Sequence, residues 1–141
     1  MTVAQPNAID SPGYAAEVPC IRESVSLARA FISHVLAVWG MDDDMTDWGK
    51  IIVTELLANA VEHTDTPVSR IHIERPSSGA VRIGVSDRSH DAPHLKTADL
   101  NAESGRGLSL VAAMSSQWGY DMHAWGKDTW AVVETPVWRE R

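Results

Sequence analysis

The stretch Ile51–His63 reads IIVTELLANAVEH, and its reading decides the fold. Wound as an α-helix, it places Glu55, Asn59 and His63 at i, i+4 and i+8, along one stripe. Ile51, Ile52, Leu56, Leu57 and Ala60 supply apolar surface beside that stripe. Such a helix needs burial, yet it carries a carboxylate and an amide at the edge of its buried side. Buried and unpaired, groups of this kind cost roughly 1–3 kcal/mol each, and a charge costs more. Either they are partly solvated and bond to local backbone, or something polar faces them. Asp87 and the Glu103–Leu108 stretch favour the second reading.

Toward the N-terminus, Met1–Gly13 is a turn-rich tail with Pro6, Asn7, Asp10 and Pro12, and residues 14–141 form the domain. Tyr14–Val18 is a short edge strand stopped by Pro19. Ile21–Trp39 has helical spacing, with Val25, Ala28, Ile32, Val35 and Trp39 on one face and Gly40 at its end. Asp42, Asp43 and Asp44 put negative charge near the start of the second helix, expected over Thr46–His63, where the dipole favours it. Thr64-Asp65-Thr66-Pro67 closes that helix.

Toward the C-terminus, Val68–Glu74 and Val81–Ser86 alternate with period two around a turn at Pro76–Gly79, an antiparallel hairpin with one buried face. Asp87 ends its second strand. Arg88–Ser104 has no periodicity, and a stretch of that length in a compact domain reads as a functional lid or a disordered segment. Gly105-Arg106-Gly107 opens a third helix, Leu108–Gln117. Strands at Trp118–Trp125 and Thr129–Thr135 follow, joined by a turn at Gly126-Lys127-Asp128. Strands grouped apart from helices predict an α+β two-layer sandwich: one mixed, mostly antiparallel sheet with the helices on one face.

The chain has 141 residues, enough for one domain with a sizeable core. A net charge of −7 without a basic block argues against a nucleic-acid footprint. The single cysteine, Cys20, excludes an internal disulfide and points to a reducing compartment, the cytoplasm. No apolar run approaches the roughly 18 residues of a membrane span, and no signal peptide is visible. His63, His90, Asp91 and His94 lack any recognisable metal-ligand spacing. The six tryptophans are scattered along an acidic chain, which favours core and interface packing over base stacking.

Glycines where a loop becomes a helix let backbone approach a ligand, and the free N–H groups there attract anions such as phosphate. Arg106 adds a positive charge between them. A carboxylate at a strand end, Asp87, suits an exocyclic amino group such as adenine's, or merely caps a turn. Glu55 suits a general base, and the Asn59 amide oxygen suits a hard cation that takes its other ligands from phosphates and water. No P-loop and no Gly-x-Gly-x-x-Gly stretch is present.

Taken in order, Glu55-x-x-x-Asn59-Ala60, Asp87 at a strand end, a loop and Gly105-Arg106-Gly107-Leu108 resemble the N, G1 and G2 boxes of the GHKL ATPase superfamily. Within it the chain is similar, over about Tyr14–Glu134, to the stand-alone anti-sigma-factor serine kinases. The resemblance implies a Bergerat-type fold that holds Mg²⁺ and ATP between helices and sheet. It implies Asn59 on Mg²⁺, Asp87 on adenine, and Glu55 as the catalytic residue that orients or deprotonates a hydroxyl. His63, Ser104, Gly105, Arg106, Gly107, Leu108 and Thr129 complete the implied ATP-binding set, beneath a lid of residues 88–104. The implied partners are an anti-anti-sigma protein, phosphorylated on serine, and a sigma factor that the regulator sequesters; a homodimer is implied as well. Two departures stand out. Asp87-Arg88-Ser89-His90-Asp91 has no glycine where the G1 box usually has two. The family's threonine beside adenine falls near Asp128 or Thr129, and a one-residue shift exchanges their faces. Thr129 is the expected one. The missing glycines leave a second reading, a nucleotide-binding module that acts by partner sequestration alone.

Overall fold

The computed structural model of the chain describes residues 5–6, 12–93 and 107–135. Strands β1 (Gln5–Pro6) and β2 (Gly13–Pro19) come first, then helices α1 (Val25–Val38) and α2 (Asp43–His63). Strands β3 (Val68–Ser77) and β4 (Ala80–Asp87), helix α3 (Gly107–Met114) and strands β5 (Gln117–His123) and β6 (Gly126–Glu134) follow. The strands form one sheet in the order β1-β2-β3-β4-β6-β5, five long strands and the two-residue β1. Every described pairing is antiparallel, so the mixed sheet expected from the sequence is a wholly antiparallel one.

The two-layer α+β architecture follows from the period-two strands. Ile71 and Ile73 of β3, Val81, Ile83 and Val85 of β4, and Ala131 and Val133 of β6 form one buried face. Ala28, Phe31, Ile32, Val35 and Leu36 of α1 share the core with them, as do Ile52, Val53, Leu56, Leu57 and Ala60 of α2. Ile52, Leu56 and Leu57 are almost wholly buried, and each such side chain contributes roughly 1.5–3 kcal/mol. That is enough to dock α2 despite its polar stripe. The helix begins at Asp43, earlier than Thr46, because the Asp42 side chain accepts a hydrogen bond from Met45 N at 2.9 Å and caps it.

Three boundaries differ from the sequence reading. Strand β3 runs on to Ser77 through a register shift between Glu74 and Ser77, where Pro76 has no N–H to give the ladder. Helix α3 stops at Met114, and Ser115 Oγ donates back to Val111 O at 2.7 Å. The last turn lies at Ala124-Trp125, so Gly126, Lys127 and Asp128 are the first residues of β6, paired with β4. This third shift brings a lysine into the sheet opposite Asp87.

The other face of the sheet is polar but closely packed. His72 is only 3% exposed there. It lies over Gly84, directly across from it on β4, where any Cβ would overlap the imidazole ring. Its Nε2 bonds the Asp128 carboxylate at 2.8 Å, and Nδ1 stands 3.4 Å from Glu74 without hydrogen-bond alignment. Arg82 extends the network to Glu74 and Asp121 and stacks over Trp130, 4.6 Å from the ring centre. No helix among the described residues is long and apolar enough to cross a membrane.

Candidate functional site

The site lies where the C-terminal half of α2 meets the ends of β4 and β6. Helix α2 presents its stripe as the spacing requires: Asn59 and His63 stand in the wall of one cavity, and Glu55 lies one turn earlier. The cavity has a volume of about 390 Å³, and Thr64, Ser89, Asp91, Ala92, Pro93 and Lys127 complete its wall. Clefts of roughly 300–1,000 Å³ are the usual size for small ligands and cofactors.

A chain of hydroxyls holds the end of α2 to the end of β4. Thr64 Oγ1 donates to Ala60 O at 2.6 Å and accepts from Thr66 Oγ1 at 2.8 Å; Thr66 Oγ1 in turn accepts from Arg88 N at 3.0 Å. The residue after Asp87 is thereby fixed against the helix that carries Asn59.

Asp87 is buried, 2% exposed at its side chain, and Lys127 is equally so. Lys127 Nζ donates to Asp87 Oδ1 at 2.9 Å, and Ser89 N donates to the same oxygen at 2.8 Å. No donor among the described residues is bound to Oδ2. Lys127, and not Asp87, lines the cavity. Such a pair is costly to break, because removing one partner leaves a buried charge uncompensated.

Glu55 is half-buried beside the start of α3, and a Cβ added to Gly107 would come within 3.3 Å of its Oε2. Burial, and behind it the negative charge of Glu62, hold the Glu55 carboxyl above its usual range. A carboxylate raised toward neutrality is a better acceptor for a hydroxyl proton than an ordinary one.

The other expected residues fall in different places. Leu108 points into the hydrophobic core, and Gly107 borders Glu55 but is not in the cavity wall. Thr129 is buried on the inner face opposite Val85, two residues along from Lys127, and does not line the cavity. Ser104, Gly105 and Arg106 lie outside the described residues, as does the lid beyond Pro93. Lys127 and Ser89 are site residues that sequence reasoning did not single out. Counting back by twos from Val133, Ala131 and Thr129 would have put Lys127 on the inner face.

The donor set fits a magnesium nucleotide. The Asn59 amide, the His63 imidazole, the Thr64 and Ser89 hydroxyls, the Asp91 carboxylate and the Lys127 ammonium surround the space. Asn59 alone would supply a protein ligand to Mg²⁺, which typically takes its remaining ligands from phosphates and water. The metal would supply charge neutralisation along the phosphates.

Residues 19–133 match the family model described as a histidine kinase-like ATPase domain. No curated protein matches the chain.

Proposed function

The chain belongs to the histidine kinase-like ATPase domains of the GHKL superfamily, and from that premise we propose that it is an ATP-dependent protein serine kinase and partner-binding regulator. Its substrate is a serine hydroxyl on an anti-anti-sigma protein, and in the absence of transfer it sequesters a sigma factor in the cytoplasm. The observation that carries the reading is the shared stripe of α2. Asn59 and His63 face the cavity that Lys127 and its counter-ion Asp87 close, while Glu55, one turn away, sits at the start of α3 with a raised pKa.

In this reading the base lies at the Asp87–Lys127 end, and Asn59 holds Mg²⁺ on the phosphates. Glu55 orients the attacking hydroxyl and accepts its proton. Serine hydroxyls ionise far above neutrality, so a carboxylate with a raised pKa lowers the barrier by holding the proton as the bond forms. Ser104, Gly105 and Arg106 are assigned to the nucleotide by the family resemblance alone.

The test has two arms. Calorimetric titration with Mg-ATP measures binding, and Glu55→Gln in a phosphoryl-transfer assay measures chemistry. The expected result is retained ATP affinity with transfer reduced at least a hundredfold, in the range for loss of a general base. Unchanged transfer would remove Glu55 from the mechanism.

A second reading, a nucleotide-gated binding module without turnover, draws on the turn after Asp87. It has no glycine, and Ser89 and Asp91, which stand where the G1 box has glycines, are both in the cavity wall. It predicts that Asn59→Ala changes partner affinity and no rate. Phosphoserine on a partner incubated with the protein and Mg-ATP would decide against it.

A further inference from the structure

We propose that the groove between α1 and α2, on the flank of α2 opposite the cavity that Asn59 lines, docks an acidic segment of a protein partner. The partner's carboxylates pair there with Arg29 and Lys50.

The groove follows from how the two helices meet. Gly49 is a contact point on α2: a Cβ there would come within 2.9 Å of Leu36 Cδ1 and 3.1 Å of Ile32 Cγ2, so α1 lies as close to α2 as a glycine permits. Lys50 follows about 100° round the helix, on the α1 side. It joins Val25, Ser26, Arg29, Ala30 and Ser33 of α1 in the wall of a cavity of about 470 Å³. Nine residues at the same rotation put Asn59 about half a turn round the axis from Lys50. The two cavities therefore lie on opposite flanks of one helix, and one can be filled while the other is occupied.

The charges in this wall are one-sided. No acidic side chain among the described residues lines it. Other cations meet acids: Arg22 stands 3.1 Å from Glu62, Arg82 reaches Glu74 and Asp121, and Lys127 is bound to Asp87. Arg29 and Lys50 have no carboxylate within ion-pair distance among the described residues, and the Ser33 hydroxyl makes no hydrogen bond there. In a chain of net charge −7, two unpaired cations in the wall of one hollow are a local reversal of sign. Lys50 is also half-buried, so an incoming carboxylate meets a charge that bulk water screens only in part.

A polypeptide that bears carboxylates answers this wall better than other anions do. Val25 and Ala30 offer apolar contact beside the cations, which a peptide's aliphatic side chains can use and a free phosphate cannot. An anionic bilayer calls for a cluster of roughly 4–8 basic residues, whereas this wall holds two and is concave. A groove between helices is a recurrent seat for an amphipathic segment. Charges at such a rim set which partner is accepted and how fast it is met.

The test is NMR titration of the isotope-labelled full chain at low salt. The probe is a helical peptide of leucine, alanine and glutamate with its glutamates one turn apart, and the control is the same peptide with glutamine in their place. The glutamate peptide is expected to shift the amides of Ser26, Ala30 and Ser33 and to bind about tenfold more tightly than the control, the size expected of two partly exposed ion pairs. In the double variant Arg29→Gln, Lys50→Gln that preference is expected to fall to near one. Saturating Mg-ATP is expected to leave the wild-type protein's affinity for the peptide unchanged. Equal binding of the two peptides by the wild-type protein, or no binding of either, would overturn the proposal without needing any variant to fold. Shifts confined to other elements, or displacement of the peptide by Mg-ATP, would overturn the placement opposite Asn59. Inorganic phosphate that displaces the peptide at equal concentration would show a small-anion site instead, and tighter binding to vesicles of anionic lipid would show a membrane contact; either result overturns the proposal. The peptide measurement needs no nucleotide, so its outcome is separate from that of the ATP reading.

Discussion

Replacing the Asp87–Lys127 pair one partner at a time and then together tests the physical basis of the site. Each side chain is 2% exposed, and the single bond between them spans 2.9 Å. Were the pair solvated, it would contribute at most about 1 kcal/mol. At this burial, removing either partner strands a charge away from water, and the expected loss is about 3–5 kcal/mol for Asp87→Val or for Lys127→Met. A domain of this size has about 5–15 kcal/mol of total stability, so each single variant loses a large share of it. The double variant strands no charge. It replaces the pair with apolar groups on a face already lined by Val85 and Ala131, and it is expected to unfold within about 2 kcal/mol of the wild-type protein. The coupling energy is therefore several kcal/mol and opposite in sign to the single losses. Urea unfolding followed by tryptophan fluorescence reads this directly, with Trp130 on the same strand as Lys127. An unchanged dependence on denaturant confirms that stability alone has moved. Single losses below 1 kcal/mol, or a double variant equal to the sum of its parts, would refute the picture of a dry pair.

The remaining expectations concern both faces of the sheet. His72 is held above its ordinary value: burial alone would lower it, but the bond to Asp128 and the negative charges of Asp128 and Glu74 outweigh burial. Its contribution to stability is thus complete below the unfolded value of 6.5 and is lost as pH rises through the higher folded value. The difference in urea midpoint between wild type and His72→Gln should be largest below about pH 6 and shrink toward alkaline pH; a flat difference would refute this. Gly84→Ala should destabilise by about 1–3 kcal/mol, the range for overpacking, because a Cβ there overlaps the His72 ring. A stabilised variant in thermal unfolding would show that the ring moves aside freely. Gly107→Ala brings a methyl within 3.3 Å of Glu55 Oε2 and should lower phosphoryl transfer about tenfold or more, in keeping with the sensitivity of catalysis to small displacements. Transfer at the wild-type rate would place the acting carboxylate elsewhere. Asn59→Ala should make ATP affinity insensitive to chelation of Mg²⁺, whereas the wild-type protein should lose affinity on chelation; equal sensitivity in calorimetry would remove Asn59 as a ligand.

The parts of the site legible in the sequence are those whose position depends on period alone. A spacing of four along IIVTELLANAVEH is enough to align Glu55, Asn59 and His63, and the alternation of Val81, Ile83 and Val85 carries Asp87 to the inner face. Lys127 was hidden by turn chemistry. Gly-Lys-Asp looks like a turn, while the real turn, Ala124-Trp125, contains neither glycine nor proline and is flanked by the stacking of Trp125 on His123 at 4.8 Å. The glycine that suggested a turn is there because β6 crosses so close to Asp87. His72 was hidden for a related reason. Alternation assigns it to the polar face, and nothing local shows that Gly84, twelve residues away, leaves the hollow in which it is buried. The raised pKa of Glu55 likewise needs the third dimension, since it comes from burial first and from Glu62 second.

The missing glycines after Asp87 bear on entry to the site more than on its chemistry. Glycine there would permit left-handed backbone, but no described residue other than glycine has positive φ. Two side-chain hydrogen bonds shape the turn instead: Ser89 N donates to Asp87 Oδ1 at 2.8 Å, and Asp91 N donates to Ser89 Oγ at 3.0 Å. His90 Nε2 adds a bond to Ala124 O at 3.0 Å, fastening the turn to the loop before β6. The polypeptide leaving β4 is thus set by bonds that glycines do not make, and it carries side chains into the wall through which a base would pass. Glu55 stands at the other end of the stripe, against Gly107, and makes no contact with that turn among the interactions described. A change confined to the turn therefore acts on nucleotide affinity and exchange, while the group positioned for proton transfer keeps its place on α2. Affinity and transfer are separable properties of this site because the turn that shapes entry leaves β4, whereas Glu55 is carried by α2.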